Sequence, residues 1–211
     1  MPKITALIPQ SRRPQTYNLF LDGNYAFSLS LDLIIKLKLS SGQILSPVQL
    51  NDLLYQVYFE KLWRLALNYL SFRPRSSFEV RRKLENYLFQ SSFGYSEKID
   101  SATLVSALIT KLQTHQFLDD FKFTLWFLEN RLNFKLKSRR ELTQELIQKG
   151  IDQALINQAL SQLHYNETEI LKRLLAKKIN HYSSSRQLLN YLLRRGFNLD
   201  IIRQTAPFLF D

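Results

Sequence analysis

The sequence predicts a mainly all-α protein of tandem three-helix repeats, forming an elongated curved stack, with a small N-terminal β-hairpin or sheet. Three observations predict it. A serine-led helix-start pattern occurs three times with leucines at one spacing, glycines follow two of these helices at one offset, and two-residue alternation is confined to the first thirty residues.

Residues 3–9, 16–21 and 25–30 are short, apolar and β-rich. Asp22-Gly23-Asn24 between the last two is a hairpin signal, because glycine and its neighbours accept positive φ. Ser11-Arg12-Arg13-Pro14 reads as the other loop. Three such strands have little to pack against, so the expected sheet is marginal. A short helix is expected over 31–39, closed near Ser40-Ser41-Gly42. Ser46 can cap the next helix with Pro47 at its first position, and no proline follows until Pro74. One helix, or two end to end, therefore runs from 46 to about 71.

Ser76-Ser77-Phe78-Glu79 fits a capping box, in which serine accepts from a free amide and the acid three residues on reaches back. The pattern returns as Ser138-Arg139-Arg140-Glu141 and as Ser184-Ser185-Arg186-Gln187. Four residues after each serine stand Val80, Leu142 and Leu188; eight after stand Leu84, Leu146 and Leu192. Residues four apart share a helical face, so each box opens an amphipathic helix. Upstream, Trp63, Leu125 and Leu171 correspond, as do Ala66, Leu128 and Leu174; downstream, Gly150 matches Gly196, each ending a middle helix where a left-handed residue is needed. Each unit is helix, turn, helix, turn, helix.

The domain expectation is a β-rich appended segment over 1–45, a first repeat with its lead-in helix over 46–118, a second over 119–165 and a third over 166–211. Helices are expected at 46–71, 77–90, 98–115, 119–134, 139–149, 152–164, 167–180, 185–195 and 198–209. The extra residues of the first repeat fall around Tyr87–Asp100, as a longer helix or an inserted loop. A unit this small buries little alone, so neighbours share interfaces and the stack follows.

Composition narrows the function. The 211 residues include no cysteine, which excludes disulfides, thiolate metal sites and cysteine nucleophiles. The N-terminus lacks the apolar core of a signal peptide, and the apolar stretch 31–39 is broken by Asp32, Lys36 and Lys38, so a cytoplasmic monomer with no membrane partner is expected. His115, His164 and His181 lack metal-ligand spacing, and the five glycines form no phosphate loop. Asp119-Asp120 stands at a helix start, where acids offset the helix dipole. No catalytic residue, metal or cofactor is expected, and no enzyme.

A net charge of +11 favours a polyanionic partner. The excess is spread over the body: about +2 in residues 1–63, +4 in 64–118, +1 in 119–165 and +4 in 166–211. Within it, basic residues gather at equivalent points of the repeats. Arg73 and Arg75 precede the first box; Lys135, Lys137, Arg139 and Arg140 surround the second; Arg186 follows the third cap. Arg81, Arg82, Arg194 and Arg195 lie on middle helices. These eleven are the candidate binding residues, since equivalent positions in stacked repeats can align into a stripe that matches a polyanion. Aromatic residues such as Trp63, Phe123 and Trp126 fall at core spacing and are expected inside.

Four segments resemble the RecX family, in order and spacing, over about residues 60–205. They are Ala66 to Ser76 with Glu79 and Leu84; Phe117-Leu118-Asp119-Asp120 with Phe123 and Arg131; Glu145 to Ile151; and Leu192 to Phe197. Asp22-Gly23 in the opening hairpin also resembles it. The chain departs from the family in its long loop through Ser91-Ser92-Phe93-Gly94 and in Thr124, where a small alanine is common. The resemblance implies a cofactor-free regulator that binds the groove of the RecA filament on single-stranded DNA, with possible direct DNA contact. It implies a limit on RecA strand exchange, ATPase and coprotease action, usually by inhibition. The alternative is a stand-alone helical DNA-binding protein, since three-helix units resemble helix-turn-helix modules. Against it, the middle helices carry mainly leucine and arginine or lysine and few base-reading polar residues.

Overall fold

The computed structural model describes residues 1–90 and 100–210. Its chain forms two compact units, residues 1–72 with 80–117, and residues 73–79 with 118–211.

In the first unit, strands β1 (Ile4–Gln10), β2 (Arg13–Leu21) and β3 (Asn24–Ser30) make an antiparallel sheet in the order β1-β2-β3. The Asp22-Gly23 turn is where expected, and both residues take positive φ. The other loop is shorter than expected. Gln10 pairs with Arg13, so Ser11 and Arg12 alone make the turn and Arg13-Pro14 begin β2. Pro14 is tolerated because the ladder with β3 starts only at Thr16 and the ladder with β1 is irregular at Pro9 and Gln10.

The sheet is also better supported than three short strands suggest. Ile4, Leu19, Leu21, Phe27 and Leu29 are buried. The 42–45 segment adds to β1, with Ile4 N donating to Gln43 O at 2.8 Å and Gly42 N to Ile4 O at 2.7 Å. Helix α1 (Leu31–Lys36) is capped by Ser30 and stops short of 39, because Lys38 turns to φ +49°.

Helix α2 (Pro47–Ser71) is one unbroken helix, started by a full Ser46–Gln49 capping box with Pro47 at its first turn. Its apolar face (Leu50, Leu53, Leu54, Val57, Leu62, Ala66) is buried, with α4 (Ser101–Thr114) among its partners. Helix α3 (Ser77–Gln90) contributes Val80 and Leu84 to the interior. The loop expectation at 91–99, and the predicted start of α4 at 98, lie outside the described residues.

The second unit holds α5 (Asp120–Phe134), α6 (Arg139–Gln148), α7 (Gln153–Gln162), α8 (Glu167–Lys178), α9 (Ser185–Arg194) and α10 (Leu199–Thr205), with single 3-10 turns at 179–181 and 207–209. The expected helix over 198–209 therefore breaks in two. Ala206 leaves helical geometry (φ −139°, ψ 65°) before Pro207, whose ring and missing amide prevent continuation. Phe123, Phe127, Leu128, Leu142, Leu146, Ile156 and Leu160 form one core; Leu171, Leu174, Leu188, Leu192, Phe197 and Ile202 form another. Leu136, at φ +43° in the turn after α5, is buried in the second of these cores and not in that of its own repeat. Burying it contributes about 1.5–3 kcal/mol, so the link between consecutive repeats is hydrophobic as well as polar.

Among the described residues no helix is long and apolar enough to cross a membrane.

Candidate interface and the seats between repeats

The serine boxes do more than start helices. Ser76 Oγ accepts from Glu79 N at 3.2 Å and donates to the carbonyl of Lys149 at 2.7 Å. Ser138 Oγ accepts from Glu141 N at 3.2 Å and donates to the carbonyl of Arg195 at 2.6 Å. Lys149 and Arg195 each precede the glycine ending the middle helix of the following repeat. The acids are drawn into the same contact: Glu79 Oε1 meets Lys149 Nζ at 2.7 Å, and Glu141 Oε1 meets Arg195 Nε at 2.8 Å. Each box is thus a seat for the next repeat's helix-ending turn. Ser76 and Ser138 are fully buried beneath it.

Glycine completes the seat. Gly150 (φ +77°) leaves no room for a Cβ, which would collide with Phe78. Gly196 (φ +79°) comes close to Arg140, whose Cβ would lie 3.1 Å from an added methyl. Phe78 and Arg140 both stand two residues after their serines. The box acid also behaves differently from expectation in the second repeat. Glu79 Oε2 still accepts from Ser76 N at 3.4 Å, but in α6 and α9 only the serine half of the box forms, Glu141 being turned onto Arg195.

Charge is concentrated at these seats. Burial alone would raise the Glu79 carboxyl, but Arg73 and Lys149 outweigh it and hold the group below its ordinary value. Glu145 is held low in the same way by Lys137 and Arg131. Burial opposes the Arg195 charge, and Glu141 with Tyr191 overcomes that, raising its affinity for the proton. Asp119 caps α5 as its position suggested, accepting from Phe121 N and Lys122 N, whereas Asp120, in the first turn of α5, accepts through Oδ1 from Ser77 N at the start of α3 at 2.7 Å. Among the described residues no three acids or histidines gather as a metal site would require.

The eleven candidate residues divide accordingly. Arg73 forms a fork with Glu79 (3.0 and 3.3 Å) beside the Trp126 ring, Lys137 pairs with Glu145, and Arg195 pairs with Glu141 and Tyr191. Arg81 reaches Ser106 Oγ at 3.2 Å, and Arg75 is half-buried. Arg82, Lys135, Arg139, Arg140, Arg186 and Arg194 are exposed; of these, Arg139 also touches Asn157 Oδ1 at 3.0 Å. The set therefore separates into cations that hold the fold and cations that face outward. Sequence reasoning missed the seats as contacts. The signal was present, since Lys149 and Arg195 occupy one column just before the matched glycines, but a column does not say which segment it touches.

Known proteins share this architecture. Models of the regulatory protein RecX N-terminal domain, the RecX first three-helix domain and the RecX second three-helix domain match residues 2–46, 63–89 and 119–160. The regulatory protein RecX of Bacillus licheniformis is 30% identical over 211 residues, covering 96% of this chain and 75% of that protein. That of Staphylococcus epidermidis is 23% identical, covering 96% of each. A crystal structure of regulatory protein RecX superposes over 98% of this chain and 100% of its own with a TM-score of 0.69 at 24% identity, which shows the shared fold. RecX from Lactobacillus salivarius, at 25% identity, covers 72% of this chain and 97% of its own with a TM-score of 0.57.

Proposed function

Since the chain belongs to the RecX family of regulatory proteins, we propose that it binds the RecA nucleoprotein filament and restrains the recombinase, ATPase and coprotease activities of RecA. The supporting observation is the outward-facing basic set left once the internal ion pairs are set aside: Arg82, Lys135, Arg139, Arg140, Arg186 and Arg194. A filament of protein on single-stranded DNA is a polyanion of regular geometry, and repeated basic turns suit it. The role needs no active site or cofactor, and it places the protein in the cytoplasm as a monomer acting in DNA repair and the SOS response. The division into an N-terminal segment (1–45) and repeats at 46–118, 119–165 and 166–211 belongs to the same proposal.

The test is RecA-driven strand exchange and single-strand-dependent ATP hydrolysis with increasing amounts of the protein. Wild type should inhibit both. Lys135→Glu with Arg139→Glu should weaken inhibition about tenfold or more, and Lys172→Glu with Arg173→Glu, an equal charge change at exposed positions of α8, should do so far less. Equal loss in both would make net charge the determinant, and no loss in either would move the docking surface elsewhere. Affinity for bare single strands equal to that for RecA-coated strands would favour the stand-alone DNA-binding alternative.

A further inference from the structure

The third box has the elements of a seat, and among the described residues no helix-ending turn rests on it. Ser184 caps α9 through Gln187 N at 3.3 Å, as Ser76 and Ser138 cap their helices, yet Ser184 is exposed where they are fully buried. Tyr182 stands one repeat after Leu136 but is only half-buried, at the edge of the same core that encloses Leu136. It packs on Tyr191 (ring centres 5.3 Å apart) and borders an open pocket of about 550 Å³ lined with Gln187, Asn190, Leu193 and Arg194.

The filled seats show what such a site takes. In both, a serine hydroxyl donates to a main-chain carbonyl at a helix-ending turn, and a glutamate pairs with the basic side chain of that turn. The site is thus shaped for polypeptide backbone. The open seat keeps the hydroxyl and changes the charge. Gln187 replaces the glutamate, and its carbonyl oxygen accepts from Ser183 Oγ at 3.1 Å, leaving the amide NH2 to donate outward. Arg186 and Arg194 are exposed beside it. A Lys-Gly or Arg-Gly turn would find no carboxylate here and two cations nearby, which disfavours it. A turn carrying a carboxylate would meet donors from Ser184, Gln187 and Arg194, with Tyr182 and Leu193 for its apolar part.

We propose that the open seat of the third repeat docks an acidic turn of a partner protein, its carbonyl on Ser184 and its carboxylate where Lys149 and Arg195 stand in the filled seats. The proposal rests on the reading that the chain docks on the RecA filament, and assigns one contact of that docking to protein and not to DNA.

Gln187→Glu tests it, because the substitution restores the acid of the filled seats, keeps the cap and alters one charge. Gln144→Glu makes the same change at an exposed position of α6. Binding is measured by fluorescence anisotropy, on RecA filaments assembled on a labelled oligothymidylate and on the bare oligothymidylate. The expected result is about tenfold weaker filament binding for Gln187→Glu, less than twofold for Gln144→Glu, and equal, small changes for both on the bare strand. Wild-type binding to filaments with no loss in Gln187→Glu would overturn this inference alone. Absence of wild-type filament binding would overturn the proposed function with it. Selective loss of bare-strand binding in Gln187→Glu would assign the seat to nucleic acid, and Gln187-dependent self-association in sedimentation would assign it to a second copy; either result overturns an acidic protein turn as the occupant.

Discussion

A serine hydroxyl has one proton to give and lone pairs to accept with, and Ser76 and Ser138 use both functions. The turn placed against them must come within van der Waals distance of the box, which is where glycine enters. At Gly150 and Gly196 the left-handed backbone alone would cost a side chain about 1–2 kcal/mol. Gly150 is also approached too closely, with Phe78 Cβ 2.4 Å and Cγ 2.8 Å from a would-be Cβ, whereas at Gly196 the nearest atoms, Arg140 Cβ and Cδ, stand 3.1 Å away. Gly150→Ala should therefore cost about 2–4 kcal/mol and Gly196→Ala about 1–2 kcal/mol in urea denaturation. Equal costs would mean that backbone conformation, and not the close approach of Phe78, requires glycine at 150.

At the scale of elements, the periodic leucines and caps carried most of the information. Helices α2 to α9 fall within about three residues of expectation because amphipathic spacing, serine or aspartate caps and terminal glycines all agree there. The sheet was legible as strands but not as a supported layer, since the segment that completes it, 42–45, has no alternation of its own. The basic set was legible as residues and only partly as roles: Arg73, Lys137 and Arg195 look like surface charge in sequence, and glutamates 6, 8 and 54 residues away tie them into the fold. Those glutamates set a pH dependence. Glu79 and Glu145 are both held below the ordinary 4.5, so the unfolded chain takes up protons first as pH falls. Their stabilisation is complete above that value and is lost progressively as pH drops from it through the lowered folded values. Unfolding free energy should accordingly fall below about pH 4.5. Glu79→Gln should reduce that slope and cost about 1–3 kcal/mol at neutral pH. An unchanged acid slope in the variant would show that the carboxylate–Lys149–Arg73 cluster does not link the repeats.

For the whole molecule, 29 lysines and arginines against 18 carboxylates leave a net charge of +11. Filament affinity should fall steeply between about 50 and 200 mM salt, since each phosphate contact releases counterions. A flat salt response would leave the outward arginines as a solvating face. The seats also give the chain a polarity. Each of the first two repeats offers a socket in its box, and the repeat after it supplies the plug. Read in the order of synthesis, the socket always leaves the ribosome before its plug. The Ser138–Glu141 site is complete some fifty residues before Arg195 and Gly196 are made, as the 54–57 residue separations of its bonds record. The residues of a socket are thus made before those of its plug, and folding during synthesis is expected to proceed from the N-terminal repeat towards the C-terminal one.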